Sequence, residues 1–174
     1  MSISIPASRP RGRFRWRFFF MFVLLAVMVL SYRATVFAAT VTVTLTADSG
    51  AGSLRDAVAG AGAGDTIVFD AGLNGQTINL TTGQLVINKN LIIDASALSN
   101  GISINAGAAS RVILINHGFT AELIAVTITG GGNNPVNPGG GIRNNGGNLT
   151  LRRVTVSGNT STNGKGGGIA NEAN

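Results

Sequence analysis

The chain has 174 residues, of which 44% are hydrophobic and 11% are charged, and it contains no cysteine. This length suits one domain, and without cysteine no disulfide bond can stabilise it. The net charge is +6, but six of the thirteen basic residues precede residue 40, where no acidic residue occurs. From Thr40 onward, seven basic residues are balanced by seven acidic ones, so the charge gives no reason to expect nucleic-acid binding.

Residues 1–39 have the features of a secretory signal peptide. Five arginines lie within residues 9–17, and the thirteen apolar residues Phe18–Leu30 follow them. Thirteen residues fall short of the roughly 20 that cross a bilayer, and Val36-Phe37-Ala38 resembles a signal-peptidase site. We expect cleavage after Ala38 or Ala39, and export to the cell surface or beyond it. An uncleaved signal anchor is the alternative.

Residues 40–64 predict an N-terminal cap, formed by a strand and a short helix. Thr40–Thr46 alternates threonine with apolar residues, which is typical of a strand with one buried face. Ser53 is placed to cap the helix, and Asp56 lies three residues later, at the spacing of a capping box. The apolar stripe of this helix consists of Leu54, Ala57 and Val58.

From Asp65 to Asn174, short strand-like runs are separated by Gly, Asn, Asp and Ser, which favour turns. The predicted strands are Thr66–Phe69, Thr77–Leu80, Gln84–Ile87, Leu91–Asp94, Gly101–Ile104, Val112–Ile115, Leu123–Ile128 and Leu149–Val156. Helical periodicity is absent, so the sequence predicts an all-β region at 65–174.

Two patterns recur in this region at nearly the same shift. Gly-Gly-Gly-Ile-x-Asn occurs at 139–144 and again at 166–171, and Leu-x-x-Val-Thr occurs at 123–127 and again at 151–155. The repeated residues are Gly140, Gly141, Ile142 and Asn144, then Gly167, Gly168, Ile169 and Asn171. Such a period indicates a β-solenoid, in which each coil buries its apolar face against the next. An immunoglobulin-like sandwich is the rival all-β fold, but it does not explain the repeats.

Stacking of the coils leads to two further expectations. Ile142 and Ile169 should lie one above the other in the core. Asn144 and Asn171 should lie in turns, either as a stacked amide ladder or as ordinary left-handed turn residues. Because the sequence stops just after a repeat, we expect further repeats and an anchor to belong to the same protein.

The segment 46–58, continued by 64–70, resembles a bacterial surface-protein module named for its Cys-Ser-Leu-Arg-Glu-Ala signature. That module begins many exported β-helix proteins. The matching residues are Ser53, Leu54, Arg55 and Ala57. Gly52 stands in place of the family's Cys, which removes any thiol role. Asp56 stands in place of its Glu, which keeps the charge.

The C-terminal half resembles the repeats of chlamydial polymorphic outer-membrane proteins, which carry Gly-Gly-Ala-Ile and Phe-x-x-Asn motifs. The segments 140–142 and 167–169 correspond to the first motif. The segment 156–159 corresponds to the second, with valine in place of phenylalanine, whereas 128–131 lacks the asparagine. Together the two resemblances imply a right-handed parallel β-helix in an exported bacterial protein, and they imply no activity.

The same fold is found in pectate lyases and polygalacturonases, which carry clustered acidic residues on one face. Here Asp65 and Asp70 flank one strand at an odd spacing, which points them to opposite faces. His117 is the single histidine and has no motif partners, and Arg152-Arg153 is expected to be a solvated pair. We therefore predict turn or strand-end hydrogen bonding for the aspartates, no catalytic residue, no cofactor and no metal ligand.

The function that the sequence favours is non-catalytic. We expect an adhesin-like β-helix that presents a repetitive polar surface to a cell, a matrix or a polysaccharide. The alternative is the N-terminal part of a polysaccharide lyase or glycoside hydrolase whose catalytic coils follow Asn174.

Overall fold

The structure is a computed structural model that describes residues 1, 38–132, 139–162 and 166–172. Nearly all of the predicted signal peptide therefore lies outside the described residues. Residues 38–174 form one unit and residues 1–37 another, and the description below concerns the first of these.

The described part of this unit is built from short strands. The strands are β1 (Thr40–Val43), β2 (Thr66–Phe69), β3 (Thr77–Asn79), β4 (Leu85–Ile87), β5 (Leu91–Asp94), β6 (Ile102–Asn105), β7 (Ile113–Ile115), β8 (Thr120–Ile124), β9 (Val126–Thr129), β10 (Ile142–Asn145), β11 (Asn148–Arg152), β12 (Thr155–Val156) and β13 (Ile169–Glu172). One α-helix, α1 (Leu54–Gly60), lies between β1 and β2, and a 3₁₀ turn (Ala71–Leu73) follows β2.

The strands form three sheets in which all neighbours are parallel. Sheet A has the order β1-β2-β5-β8-β11, sheet B has β12-β9-β6-β3, and sheet C has β13-β10-β7-β4. After β1, the chain passes from A to B to C and back to A, so each winding places one strand in each sheet. This is a β-solenoid, and the predicted all-β fold is confirmed. Its right-handed sense, which the two family resemblances imply and which agrees with the general preference of parallel crossovers, stays a prediction.

The core lies inside the winding, because alternate residues of each strand point inward. In β6, Ile102 and Ile104 are buried while Ser103 and Asn105 are half-buried. Ile104 pairs with Ile78 below it and Ile128 above it, so inward aliphatic side chains form columns along the axis. All of these buried residues belong to one continuous apolar cluster.

Two predicted strands contain corners. The sequence predicts one strand at Leu123–Ile128, but Leu123 lies in sheet A and Val126 in sheet B. Ala125, with φ 55°, makes the turn alone, and Arg153, with φ 53°, begins the corresponding corner one winding later. Leu149–Val156 is divided for the same reason. A single left-handed residue changes the direction of the chain, and neither residue is one of the usual turn formers.

The two repeated asparagines are in strands, which corrects the expectation that they lie in turns. Asn144 belongs to β10 and Asn171 to β13, two strands that the sequence analysis does not predict. The register pairs Ile142 with Ile169 and Asn144 with Asn171. The expected stacking of the two isoleucines is therefore confirmed, and Ile142 is fully buried. The expectation that Ile169 also lies in the core is wrong, because it is on the edge strand of sheet C and is 38% exposed.

The inward and outward residues of β4 should differ sharply in their contribution to stability. Ile87 is fully buried and its neighbour Val86 is 38% exposed. We expect Ile87→Ala to reduce the free energy of unfolding by about 2–5 kcal/mol, because it leaves a cavity in the core. Val86→Ala, the matched control, should change it by about 0.5 kcal/mol or less. Urea denaturation measures both, and equal losses would contradict the inward orientation of Ile87.

Candidate functional site

The N-terminal cap closes the first winding with its apolar stripe. Ser53 accepts a hydrogen bond from the amide of Asp56 at 3.2 Å and is the N-cap of α1. Leu54 is fully buried and joins the core. The reciprocal half of the predicted capping box is not made. Asp56 accepts from the amide of Gly50 at 3.3 Å instead, because the Ser53 amide donates to the Gly50 carbonyl.

A latch joins this cap to the turn between β3 and β4. Arg55 donates to the carbonyl oxygens of Gly83 and Gln84 at 2.6 and 3.0 Å. It also pairs with Asp48 at 2.6 Å. The other carboxylate oxygen of Asp48 accepts hydrogen bonds from the amides and hydroxyls of Thr81 and Thr82, at 2.6–3.1 Å. The Asp48 carboxylate thus binds the guanidinium group of the cap and four hydrogen-bond donors of the turn.

This arrangement determines the ionisation of Asp48, whose side chain is only 7% exposed. Burial alone would raise the pKa, since it disfavours the charged carboxylate. The hydrogen bonds from Thr82, Arg55 and Thr81 stabilise the charged form and outweigh burial, so they hold the pKa of Asp48 well below its usual range. No sequence motif indicates this role, because the partners of Asp48 on the turn are 33 and 34 residues away.

We expect Asp48→Asn to destabilise the protein at neutral pH by about 1.5–3 kcal/mol, the range for hydrogen bonds to a charged group. Because the pKa is lowered on folding, the native carboxylate stabilises the fold fully above the unfolded pKa of about 3.9. That stabilisation is lost as the pH falls further, towards the folded pKa. The deficit of the variant should therefore be constant between about pH 5 and 8 and shrink below about pH 4.

Asp70→Asn is the matched control for this experiment. Asp70 is exposed and accepts one hydrogen bond, from the amide of Gly72 at 2.8 Å, which an asparagine oxygen can also accept. Urea titrations at several pH values measure both variants. An Asp48→Asn deficit that persists unchanged at the lowest pH would contradict the role of the ionised carboxylate.

The repeated glycines allow the windings to approach closely at the corner before sheet C. The amides of Gly140 and Gly141 donate to the carbonyls of Gly166 and Gly167, and the carbonyl of Gly141 accepts from Ile113. A Cβ on Gly140 would collide with the carbonyl oxygen of Thr160. The glycine runs therefore extend the ladder of sheet C between windings and do not form a phosphate-binding loop.

The repeated asparagines form an amide ladder. The Nδ2 of Asn144 donates to the Oδ1 of Asn171 at 2.7 Å and to the carbonyl of Gly147 at the same distance. The Oδ1 of Asn144 accepts from the amide of Gly147 at 3.0 Å. Asn144 is 4% exposed, so these bonds satisfy a polar group that continues the inward column above Ile115.

A charged cluster lies next to this corner. Arg111 is 1% exposed and donates to the Gly139 carbonyl at 2.7 Å and to the Gln84 side chain at 3.1 Å. Burial and the nearby Arg143 lower the pKa of Arg111, and Glu172 opposes them. Arg143 itself is held by Glu172 at 2.6 Å. These hydrogen bonds and the ion pair give the cluster a structural role.

Sheet B presents a regular polar surface on its outer side. The residues that alternate with its inward-facing aliphatic positions are Thr77, Asn79, Ser103, Asn105, Thr127, Thr129 and Thr155. Every one carries a hydroxyl or an amide, and the strands of sheet B contain no charged residue. The parallel register places Thr77, Ser103, Thr127 and Thr155 in one column, with neighbours about 4.8 Å apart.

A groove of about 360 Å³ runs beside this surface. It forms because the connection from sheet A to sheet B differs in length from one winding to the next. Residues 95–101 make this connection in the second winding, whereas Ala125 alone makes it in the third and residues 153–154 in the fourth. Residues 96 and 98–101 of the longer loop form one wall of the groove, and the shorter corners at Ala125 and Arg153 line it as well.

The polar residues that line the groove are Ser96, Ser99, Asn100, Thr127, Arg153 and Thr155. None of the lining residues is acidic. Arg153 is exposed, and its positive φ is an unusual conformation for a residue other than glycine. Within the described parts of the chain, its guanidinium forms no ion pair. Both arginines are exposed to solvent, as the sequence predicts. They differ in that Arg152, whose side chain is 66% exposed, forms an ion pair with Glu122.

The remaining sequence candidates lie apart from this groove. Asp65 accepts from the amides of Gly62 and Ala39 at 2.6 and 2.8 Å, and Asp70 caps the 3₁₀ turn. His117 is exposed in the turn between β7 and β8.

Within residues 38–132, 139–162 and 166–172, no three metal-ligating side chains of His, Cys, Asp or Glu lie together. No helix in this part of the chain is both long and apolar enough to cross a membrane. Comparisons of the chain with protein-family models, curated proteins and solved structures gave no match.

Proposed function

We propose that this protein is an exported, non-catalytic β-helix that presents a repetitive polar surface to a polysaccharide, a matrix or a cell. The observation that carries the proposal is the outer side of sheet B. Its column of hydroxyl side chains repeats with the stacking of the windings, and a repeated ligand can meet the same contact several times. Such multiple weak contacts add up to useful avidity.

The rigidity of the scaffold supports this role. The outward residues are fixed by strands whose inward neighbours are buried, as Thr127 is fixed between Val126 and Ile128. The side-chain Nδ2 of Asn105 also donates a hydrogen bond to the Oδ1 of Asn79 in the neighbouring winding, at 3.2 Å. A surface that is already ordered loses little conformational entropy on binding. Polar groups held in this way suit recognition of sugar hydroxyls, which both donate and accept hydrogen bonds.

The family assignment is part of the proposal. We infer that residues 40–64 are a variant of the Cys-Ser-Leu-Arg-Glu-Ala module and that the glycine-rich repeats are of the polymorphic outer-membrane-protein type. The roles of Leu54 in the core and Arg55 in the latch support a shared capping function. These two roles would explain why the Ser-Leu-Arg sequence occurs at the start of a solenoid, where the first winding must be covered.

The test of this function combines binding with a search for turnover. The purified full-length protein, with any coils that follow Asn174, is mixed with insoluble polysaccharides and with polygalacturonate plus calcium. We expect it to sediment with at least one polysaccharide and to leave the chain length of every polymer unchanged. Shortening of polygalacturonate or another polymer would contradict the non-catalytic proposal and favour the lyase or hydrolase alternative.

A variant of the latch serves as the control for folding. Asp48→Asn should lower stability without touching the outer side of sheet B. At a temperature where this variant is still folded, its binding should equal that of the unaltered protein. A variant with Thr127 and Thr155 both changed to alanine should bind more weakly, because it removes two hydroxyls of the column.

The proposed export leads to a separate prediction about which residue is the first of the secreted protein. The amide of Ala39 donates to the Asp65 carboxylate at 2.8 Å, and the Ala39 carbonyl accepts from Thr66 at 2.9 Å. Cleavage after Ala38 would keep both contacts and place a new α-ammonium group against a carboxylate that is 7% exposed. Cleavage after Ala39 would remove them. We expect intact-mass measurement of the secreted protein to give Ala39 as its first residue. A mature chain that begins elsewhere would contradict this.

A further inference from the structure

The groove beside sheet B combines one cation with a wall of hydroxyl and amide groups. Arg153 contributes the charge, and it forms no ion pair with the described residues. The nearest basic residue in sequence, Arg152, forms a solvent-exposed ion pair with Glu122. Of these two arginines, Arg153 is the one that lines the groove.

The shape of the groove limits what can bind. Its volume of about 360 Å³ lies at the lower end of the range for small-molecule sites, which suits one or two sugar rings. The groove is bounded on one side by residues 96–101 and opens onto the outer column of sheet B through Thr127 and Thr155. A long chain can therefore pass through it and continue along the sheet.

We propose that this groove binds a uronate unit of an acidic polysaccharide, with Arg153 paired to the sugar carboxylate. The planar guanidinium forms two parallel hydrogen bonds with a carboxylate, which gives both energy and orientation. Ser99, Asn100 and Thr127 line the same groove and supply donors and acceptors for ring hydroxyls. The neighbouring rings of the polymer then lie on the uncharged column of sheet B. This inference rests on the proposed surface-binding function and names its ligand class.

Arg153 occupies a corner with positive φ that recurs in the two preceding windings. The equivalent corners of the two preceding windings carry Gly101 and Ala125, which have positive φ and no long side chain. At Gly101, a Cβ would lie 2.9 Å from the Ala125 carbonyl oxygen, so a side chain is not accommodated there. The corner at 153 is the one of the three that carries a long, charged side chain, and it does so beside the wall formed by the 95–101 loop.

The test measures binding of the full secreted protein to soluble polygalacturonate by affinity electrophoresis, with dextran sulfate and uncharged dextran as comparison polymers. Arg153→Gln keeps a hydrogen-bonding side chain of similar length and removes the charge. We expect it to weaken binding to polygalacturonate about tenfold, the loss of one charge-assisted contact. Arg152→Gln removes the same charge one residue away and should weaken binding less than threefold. Thr127→Val, which replaces a groove hydroxyl with a methyl group, should also weaken it.

The outcomes separate this inference from the proposed function. Equal losses in the two arginine variants would show general charge attraction and overturn the groove as a site. Failure of the unaltered protein to bind polygalacturonate, or tighter Arg153-dependent binding of dextran sulfate, would overturn the uronate assignment. In each of these cases a surface-binding role on another ligand stands. Shortening of the polymer overturns the non-catalytic function itself. Urea denaturation of each variant checks that the fold is retained.

Discussion

The structure depends on the placement of each inward aliphatic side chain directly above its partner in the preceding winding. Single strands of two to five residues bury too little apolar surface to offset the entropy of ordering them, which is about 1–2 kcal/mol per residue for the backbone alone. Stacking provides the missing burial and pairs the backbone groups of each strand with the next. Ile104, between Ile78 and Ile128, shows the pattern. The outward side chains do not take part in this stacking, so their chemistry can differ between sheets. In sheet B they carry hydroxyl and amide groups.

The solenoid could be predicted from the sequence because two of its windings share a period. The shift of the glycine-rich pattern from 139–144 to 166–171 is the register between β10 and β13. The earlier windings hide their periodicity, since the step between paired residues varies. Ser103 pairs with Thr127 in sheet B, whereas Ile92 pairs with Glu122 in sheet A, which is a longer step along the chain. The connections between the strands differ in length and so make up the difference between these steps. As the link from sheet A to sheet B shortens to one residue, the link from B to C lengthens from residues 80–84 to residues 130–141.

The features that sequence patterns miss depend on contacts between distant residues or on unusual backbone conformations. Nothing at Ala125 or Arg153 indicates a left-handed corner, so in the sequence each corner looks like the middle of a strand. Asparagine is common in turns, and the pattern around Asn144 therefore predicts a turn. The structure instead satisfies the amide of Asn144 inside the core through Asn171 and Gly147. The groove could not be foreseen either, because it arises from the difference in length between stacked loops.

The stacking of inward columns can be tested in solution by NMR of protein labelled at isoleucine methyl groups. The account predicts through-space contacts from Ile104 to both Ile78 and Ile128, and from Ile142 to both Ile113 and Ile169. The two members of each pair lie far apart in the sequence and are brought together by the strand register. If Ile104 contacts neither Ile78 nor Ile128, the windings do not stack in this register, and the surface built on them does not exist.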